Sequence, residues 1–253
     1  MTADQYVQSV LNKYQVQRGP ASPAEQFGSA VAGPLRTWAN QYLNELRYSG
    51  SYAKETGVHG ISDVDILVSL NANTPGTLKD IYNELYTFAS GQRWSPRMQN
   101  VSIGVTVNGT QGDLVPGRIQ TAYQNYHSLY VRKRDTWTQT NVALHIDTVR
   151  NSRRVSEIRA VKIWRYLNGF DIPSLYLELF VIDALSGRST ANLAENVLHV
   201  LRAITSSLST TRILDPANTN NVLSDDLTKS EKDWISGVAR QSASQQNWGQ
   251  IIW

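Results

Sequence analysis

Apolar residues three and four apart mark the helices of this chain, and a change to strict alternation marks its strands. Tyr6, Val7, Val10, Leu11 and Tyr14 fall on one side of a 3.6-residue repeat, which predicts an amphipathic helix within residues 4–17. The run Gly19-Pro20-Ala21-Ser22-Pro23 breaks it. Ser22 ahead of Pro23-Ala24-Glu25 reads as the N-cap of a second helix, with proline in its first turn. That helix is expected to run towards Leu46, with interruptions at Gly28 and Gly33-Pro34, and to deliver the chain to a short strand over 46–48. Leu78, Ile81, Leu85 and Phe88 predict a further helix over 77–90. The period then becomes two: Val101, Ile103, Val105 and Val107 alternate with Ser102, Gly104, Thr106 and Asn108, the pattern of a half-buried strand. Asn108-Gly109 is a hairpin signal. The returning strand is expected over 112–117, with Pro116 ending its ladder.

From Ser156 onward the helical period dominates. Ile158, Val161, Ile163, Trp164 and Leu167 line one helix, which Gly169 stops. Pro173-Ser174 opens a second with Tyr176, Leu177, Leu179, Phe180, Ile182 and Leu185, and a third is expected over 191–208. A polar loop follows over 215–221, and Thr228 caps a last helix starting near Lys229. Trp248, Ile251, Ile252 and Trp253 are expected to dock the C-terminus. Between the halves, Tyr123, Tyr126, Tyr130 and Trp137 alternate with the cluster Arg132-Lys133-Arg134-Asp135. Interleaved bases and aromatics can bind nucleic acid, but the expectation is a solvated loop with its rings folded onto the core. His145 and Asp147 make an incomplete metal site. The reading is an α+β chain divided into residues 1–150 and 151–253, packed as one unit because no linker separates them.

Composition narrows the partners. The 253 residues can bury a sizeable core, and a formal net charge of +3 with a pI near 9.1 suits a small polyanionic substrate. It falls short of the dense basic stripe expected of a duplex-binding protein. The absence of cysteine excludes disulfides and thiolate zinc sites and agrees with a reducing cytoplasm. The N-terminal residues lack a basic, then apolar, leader pattern, and no segment approaches membrane-spanning length, so a soluble cytoplasmic protein without membrane contact is expected.

Candidate chemistry concentrates between residues 50 and 65. Gly50 can adopt backbone angles other residues avoid and lets the chain approach a ligand closely. Ser51 offers a hydroxyl beside the free N–H groups of a following helical turn. Asp63 and Asp65 are two apart on a strand, so both carboxylates project from one face. Such a pair repels unless a cation sits between its members.

These residues carry a resemblance. Gly50-Ser51-Tyr52, Thr56 and Ser62-Asp63-Val64-Asp65 resemble the GS…SDxD signature of polymerase-beta-like nucleotidyltransferases. Asp113-Leu114-Val115-Pro116 is similar to the element bearing the third acid in the branch of oligoadenylate synthetase, cyclic GMP-AMP synthase and the bacterial CD-NTases. Arg159-Ala160-Val161-Lys162-Ile163-Trp164 and Ile172-Pro173-Ser174-Leu175-Tyr176-Leu177-Glu178 resemble a pattern in the helical lobe of CD-NTases. The likeness implies an α+β nucleotidyltransferase core, a helical second lobe, and a nucleotide cleft between them. It implies that Asp63, Asp65 and Asp113 hold two Mg²⁺ ions, with Mn²⁺ as an alternative. Gly50, Ser51, Lys162 and Ser174 would hold phosphates of ribonucleoside triphosphates. The implied product is a linked, cyclic if closed, oligonucleotide messenger in bacterial antiphage defence, read by a downstream effector. Two departures stand out. Relatives often carry an aromatic residue after the serine, where this chain has Leu175, and Tyr176 is turned by about 100° from that position. Nor is there cysteine for the zinc-bearing DNA-binding insertion of animal cyclic GMP-AMP synthase. The alternatives are an enzyme tailing tRNA ends, a toxin-type nucleotidyltransferase, and a catalytically dead nucleotide-binding regulator.

Overall fold

Thr2 and Gln5 form a reciprocal capping box at the start of α1 (Ala3–Lys13), and the Ser22 hydroxyl caps α2 (Pro23–Ala39) by accepting from the Glu25 N–H. The structure, a computed structural model, describes residues 1–122 and 125–253, so Tyr123 lies outside the described residues. It comprises a sheet unit, residues 17–54 and 62–146, and a helical unit, residues 1–16, 55–61 and 147–253. The chain therefore divides at 146/147 rather than at 150/151, and α1 belongs to the helical unit, with Val7, Val10 and Leu11 in its core.

In the sheet unit α2 runs unbroken through Gly28 and Pro34, where interruptions were expected. Tyr48 packs against Gly28, and its hydroxyl donates to the Ala24 carbonyl, so this face of the helix is tied to the sheet. β1 (Leu43–Tyr48) pairs antiparallel with β2 (Val64–Leu70), and the short α3 (Gly50–Lys54) lies between them in sequence. α4 (Leu78–Gly91), capped by Thr77 and Asp80, leads to β3 (Arg97–Met98), β4 (Ile103–Val107) and β5 (Thr110–Ile119). The strand order is β1-β2-β5-β4-β3, and only the central β2–β5 pair of that series is parallel.

β5 does not end at Pro116. On one side Pro116 pairs with Val68 of β2, but on the other β4 stops opposite Leu114 and the next partner begins opposite Arg118. Proline's missing N–H falls where β5 changes partners, so the ladder loses nothing there. That next partner is β6 (His127–Val131), which turns through Arg132–Arg134 and a left-handed Asp135 into β7 (Thr136–Thr140). A hairpin thus replaces the expected loop. Tyr130 is buried against Tyr82, while its cross-strand neighbour Trp137 stays 58% exposed. α5 (Val142–Asn151) carries His145 and Asp147, which stand about 200° apart around its axis and do not chelate together.

The helical unit is built from α6 (Val155–Leu167), α7 (Ser174–Ala184), α8 (Leu193–Ser207) and α9 (Lys229–Ala243) around Val161, Trp164, Phe180, Val200 and Ile204. β8 (Leu214–Asp215) and β9 (Asn218–Val222) form a small hairpin where a polar loop was expected. Ile251 and Ile252 are buried, as the sequence predicts, and the Tyr6 hydroxyl donates to the Ile252 carbonyl. Trp253 remains 47% exposed. Among the described residues no helix is long and apolar enough to cross a membrane.

Candidate active site

The two-residue turn at Asn108-Gly109, with φ of 51° and 79°, fixes which residues of β4 and β5 face each other. Val107 pairs with Thr110, and counting back places Gly104 opposite Asp113. On its other edge β5 runs parallel to β2, and there Asp65 stands opposite Asp113. Neighbouring strands lie about 4.8 Å apart, so two acids distant in sequence become side-by-side charges. Asp63 precedes β2 and is exposed, yet its charge still acts on Asp113.

Gly50 explains how Asp65 fits. Its φ is +56°, and a Cβ there would stand 1.7 Å from Asp65 Oδ2 and 2.5 Å from its Cγ. The Ser49 N–H meanwhile donates to the Asp65 carbonyl at 2.8 Å. The signature glycine is thus required twice, for its left-handed backbone and for the space the carboxylate fills. Ser51 sits half-buried in the first turn of α3. A Gly50→Ala variant is expected to lose about 1–3 kcal/mol of stability and to push the Asp65 carboxylate off its seat. Thermal melting and a turnover assay check this, and wild-type values in both would mean the close approach is not needed.

Asp113 is held from the β4 side. Burial raises its carboxyl pKa, the Ser102 hydrogen bond opposes that rise, the Asp63 charge adds to it, and Gln99 and Arg97 oppose it. Gln99 Nε2 donates to Oδ1 at 2.9 Å, and Ser102 Oγ lies 3.1 Å from Oδ2. Three carboxylates with hard oxygen donors suit Mg²⁺ or Mn²⁺. The donor chemistry therefore fits, although among the described residues no three acidic, histidine or cysteine side chains already converge at metal-ligating spacing.

No family model matches the chain. The curated cyclic AMP-AMP-AMP synthase of Escherichia coli (strain MS 115-1) is 21% identical over 184 residues, a stretch covering 67% of this chain and 57% of that protein. The match thus spans little more than half the length of that relative. Among solved structures, E. coli MS115-1 CdnC with ATP aligns with a TM-score of 0.78 at 16% identity, over 98% of this chain and 96% of CdnC. The Bradyrhizobium diazoefficiens CD-NTase CdnG in complex with GTP aligns with a TM-score of 0.80 at 12% identity, over 96% and 90%. The fold is that of the CD-NTases.

Within this CD-NTase fold the helical unit carries Lys162 and Ser174, both expected on phosphates. Lys162 is buried, and its ammonium lies 2.5 Å from Glu178 Oε1 and 3.0 Å from Thr56 Oγ1. The expected triphosphate ligand is thus engaged in a buried ion pair, beside the buried Ile158, Val161 and Ile163 of α6. Ser174 opens α7 half-buried, with its hydroxyl 3.3 Å from Arg165 Nη1. Gln99, Ser102 and Gly104 were missed, and Thr56 and Glu178, read only within the motif likeness, were not seen as partners of Lys162. For Gly104 and Ser102 the signal existed: both lie two apart in an alternating segment whose register the Asn108-Gly109 turn sets.

Proposed function

We propose that this chain is a nucleotidyltransferase that joins ribonucleoside triphosphates into a short, cyclic oligonucleotide and releases pyrophosphate. The observation that carries the reading is the seating of the Asp65 carboxylate on the bare Cα of Gly50, with Asp113 abreast on the neighbouring strand. That arrangement gives a physical reason for the glycine and the acids of the signature to occur together. The likeness to a cyclic AMP-AMP-AMP synthase and to CD-NTases solved with ATP and GTP supports the choice of substrate class.

Asp63, Asp65 and Asp113 would hold two divalent cations, Mg²⁺ or Mn²⁺. Bound there, the cations supply Lewis acidity to the phosphoryl group and make a ribose hydroxyl more acidic. Gly50 and Ser51 would orient the triphosphate through backbone N–H groups and a hydroxyl. The attacking hydroxyl releases its proton to solvent as its oxygen bonds to the α-phosphorus, and the bond to the pyrophosphate oxygen breaks so that pyrophosphate leaves. Repetition on the linear product, with its own free hydroxyl as nucleophile, closes a ring. A product of this kind would serve as a second messenger for a separate effector in bacterial antiphage defence.

The test is mass spectrometry after incubation with all four ribonucleoside triphosphates, once with Mg²⁺ or Mn²⁺ and once with EDTA. Cyclic di- or trinucleotides formed only with the metal are expected. Nucleotides appended to added tRNA instead, or no phosphodiester product with either metal, would overturn the reading.

A further inference from the structure

We propose that Gln99 is a positioning residue that aims the Asp113 carboxylate at the cation, and that position 104 is glycine so that the Gln99 amide can reach it; this rests on Asp113 being a metal-holding acid. The Gln99 backbone is fixed at both ends of its peptide groups. Its N–H donates to the Ser102 carbonyl at 3.0 Å, and its carbonyl accepts from the Tyr82 hydroxyl at 2.7 Å and from Arg132 Nε at 3.0 Å. A side chain leaving so constrained a backbone has few places to go, and this one goes to Asp113. Nε2 donates to Asp113 Oδ1 at 2.9 Å, while Oε1 lies 2.9 Å from the Ser102 hydroxyl, which is itself 3.1 Å from Asp113 Oδ2.

The orientation of the amide follows from the chemistry. A carboxylate only accepts, so the NH₂ end must face it, and the carbonyl end is left for the serine proton. Gln99 Nε2 thus donates to Oδ1, while the single Ser102 proton lies between Gln99 Oε1 and Asp113 Oδ2, so the amide supplies the unshared contact that sets the carboxylate. A carboxylate offers about four acceptor sites, so these contacts still leave lone pairs for a cation. Gly104 supplies the independent observation. It pairs with Asp113 across the ladder, and a Cβ there would stand 2.7 Å from Gln99 Nε2 and 3.3 Å from Asp113 Oδ1. Its backbone is not left-handed, so conformational freedom does not explain the glycine. Clearance for the amide does.

The experiment measures Mn²⁺ binding by electron paramagnetic resonance, and turnover as a function of Mg²⁺, for Gln99→Met, Gly104→Ala, Ser102→Ala and Asp113→Asn. Gln99→Met keeps the volume and removes the donor; Gly104→Ala keeps the donor and displaces it. Both are expected to weaken Mn²⁺ binding about tenfold, to raise the Mg²⁺ needed for half-maximal rate by a similar factor, and to recover rate at high Mg²⁺. A purely structural role would lower the melting temperature and leave the metal dependence where it was. Wild-type Mn²⁺ binding in both variants, alongside its loss in Asp113→Asn, would overturn the positioning role and leave the metal assignment standing. Asp113→Asn that binds Mn²⁺ and turns over normally would overturn the metal assignment itself. Should Gln99→Met not fold, Gly104→Ala and Ser102→Ala decide the matter on the same readouts.

Discussion

An Asp65→Asn enzyme is expected to keep its fold and lose about a thousandfold in turnover. Asparagine fills the same space against Gly50, and the Ser49 N–H still has the backbone carbonyl of residue 65 to donate to. What disappears is one negative charge from the set proposed to hold the cations. Losing about 4 kcal/mol of transition-state charge stabilisation, at about 1.36 kcal/mol per tenfold, gives the stated factor. The stability effect should run the other way. Asp65 and Asp113 stand abreast on adjacent strands, and neutralising one relieves their repulsion when no metal is present. The expected signature is therefore a nearly inactive protein whose melting temperature in EDTA equals or exceeds that of the wild type. Turnover within tenfold of wild type would remove Asp65 from the metal set.

The largest loss of stability is expected at Lys162. Its side chain is 2% exposed and that of its partner Glu178 is 0% exposed. Lys162→Met would leave the buried Glu178 carboxylate with the Thr56 hydroxyl but without its counter-ion, and breaking such a pair costs about 3–5 kcal/mol. Replacing both partners, Lys162→Met with Glu178→Leu, should recover much of that, because two buried charges then leave the interior together. Denaturant unfolding of the three variants measures the coupling. Nucleotide titration of the double variant tests the expectation raised by the family likeness. A lysine that met the triphosphate would cost roughly ten- to a hundredfold in affinity when removed, whereas a lysine confined to its ion pair should cost little. A stable single variant with greatly weakened nucleotide binding would return Lys162 to the phosphate.

How far the chain could be read beforehand depended on whether a signal was local. The caps at Ser22 and Thr228 and the Asn108-Gly109 turn state their own geometry within a few residues, and the structure has them as read. The strand through Pro116 did not, because its tolerance for proline comes from a change of partner, which no stretch of sequence displays. The β6–β7 turn was hidden for a different reason. Arg132-Lys133-Arg134 lacks the usual turn residues, and only Asp135, in a left-handed conformation, belongs to that class. Lys162 had a legible warning. Ile158, Ala160, Val161, Ile163 and Trp164 surround it, and Glu178 lies among Tyr176, Leu177, Leu179 and Phe180. Two charges of opposite sign set within apolar runs of two helices are candidates for each other before they are candidates for a ligand. In the sheet unit, Asp65 and Gly50 were legible as a pair of motifs; that one occupies the missing side chain of the other was not.

The discontinuity of the helical unit also orders events in time. α1 is 11 residues long, shorter than the about 12–15 at which a helix is even marginally stable in water. Its apolar side is covered by α6 and α8, which the ribosome delivers only after the whole sheet unit. At about 5–20 residues per second, α1 waits roughly 10–40 s for these partners. The sheet unit can close during that interval, so α1 is expected to be among the later parts of the chain to fold.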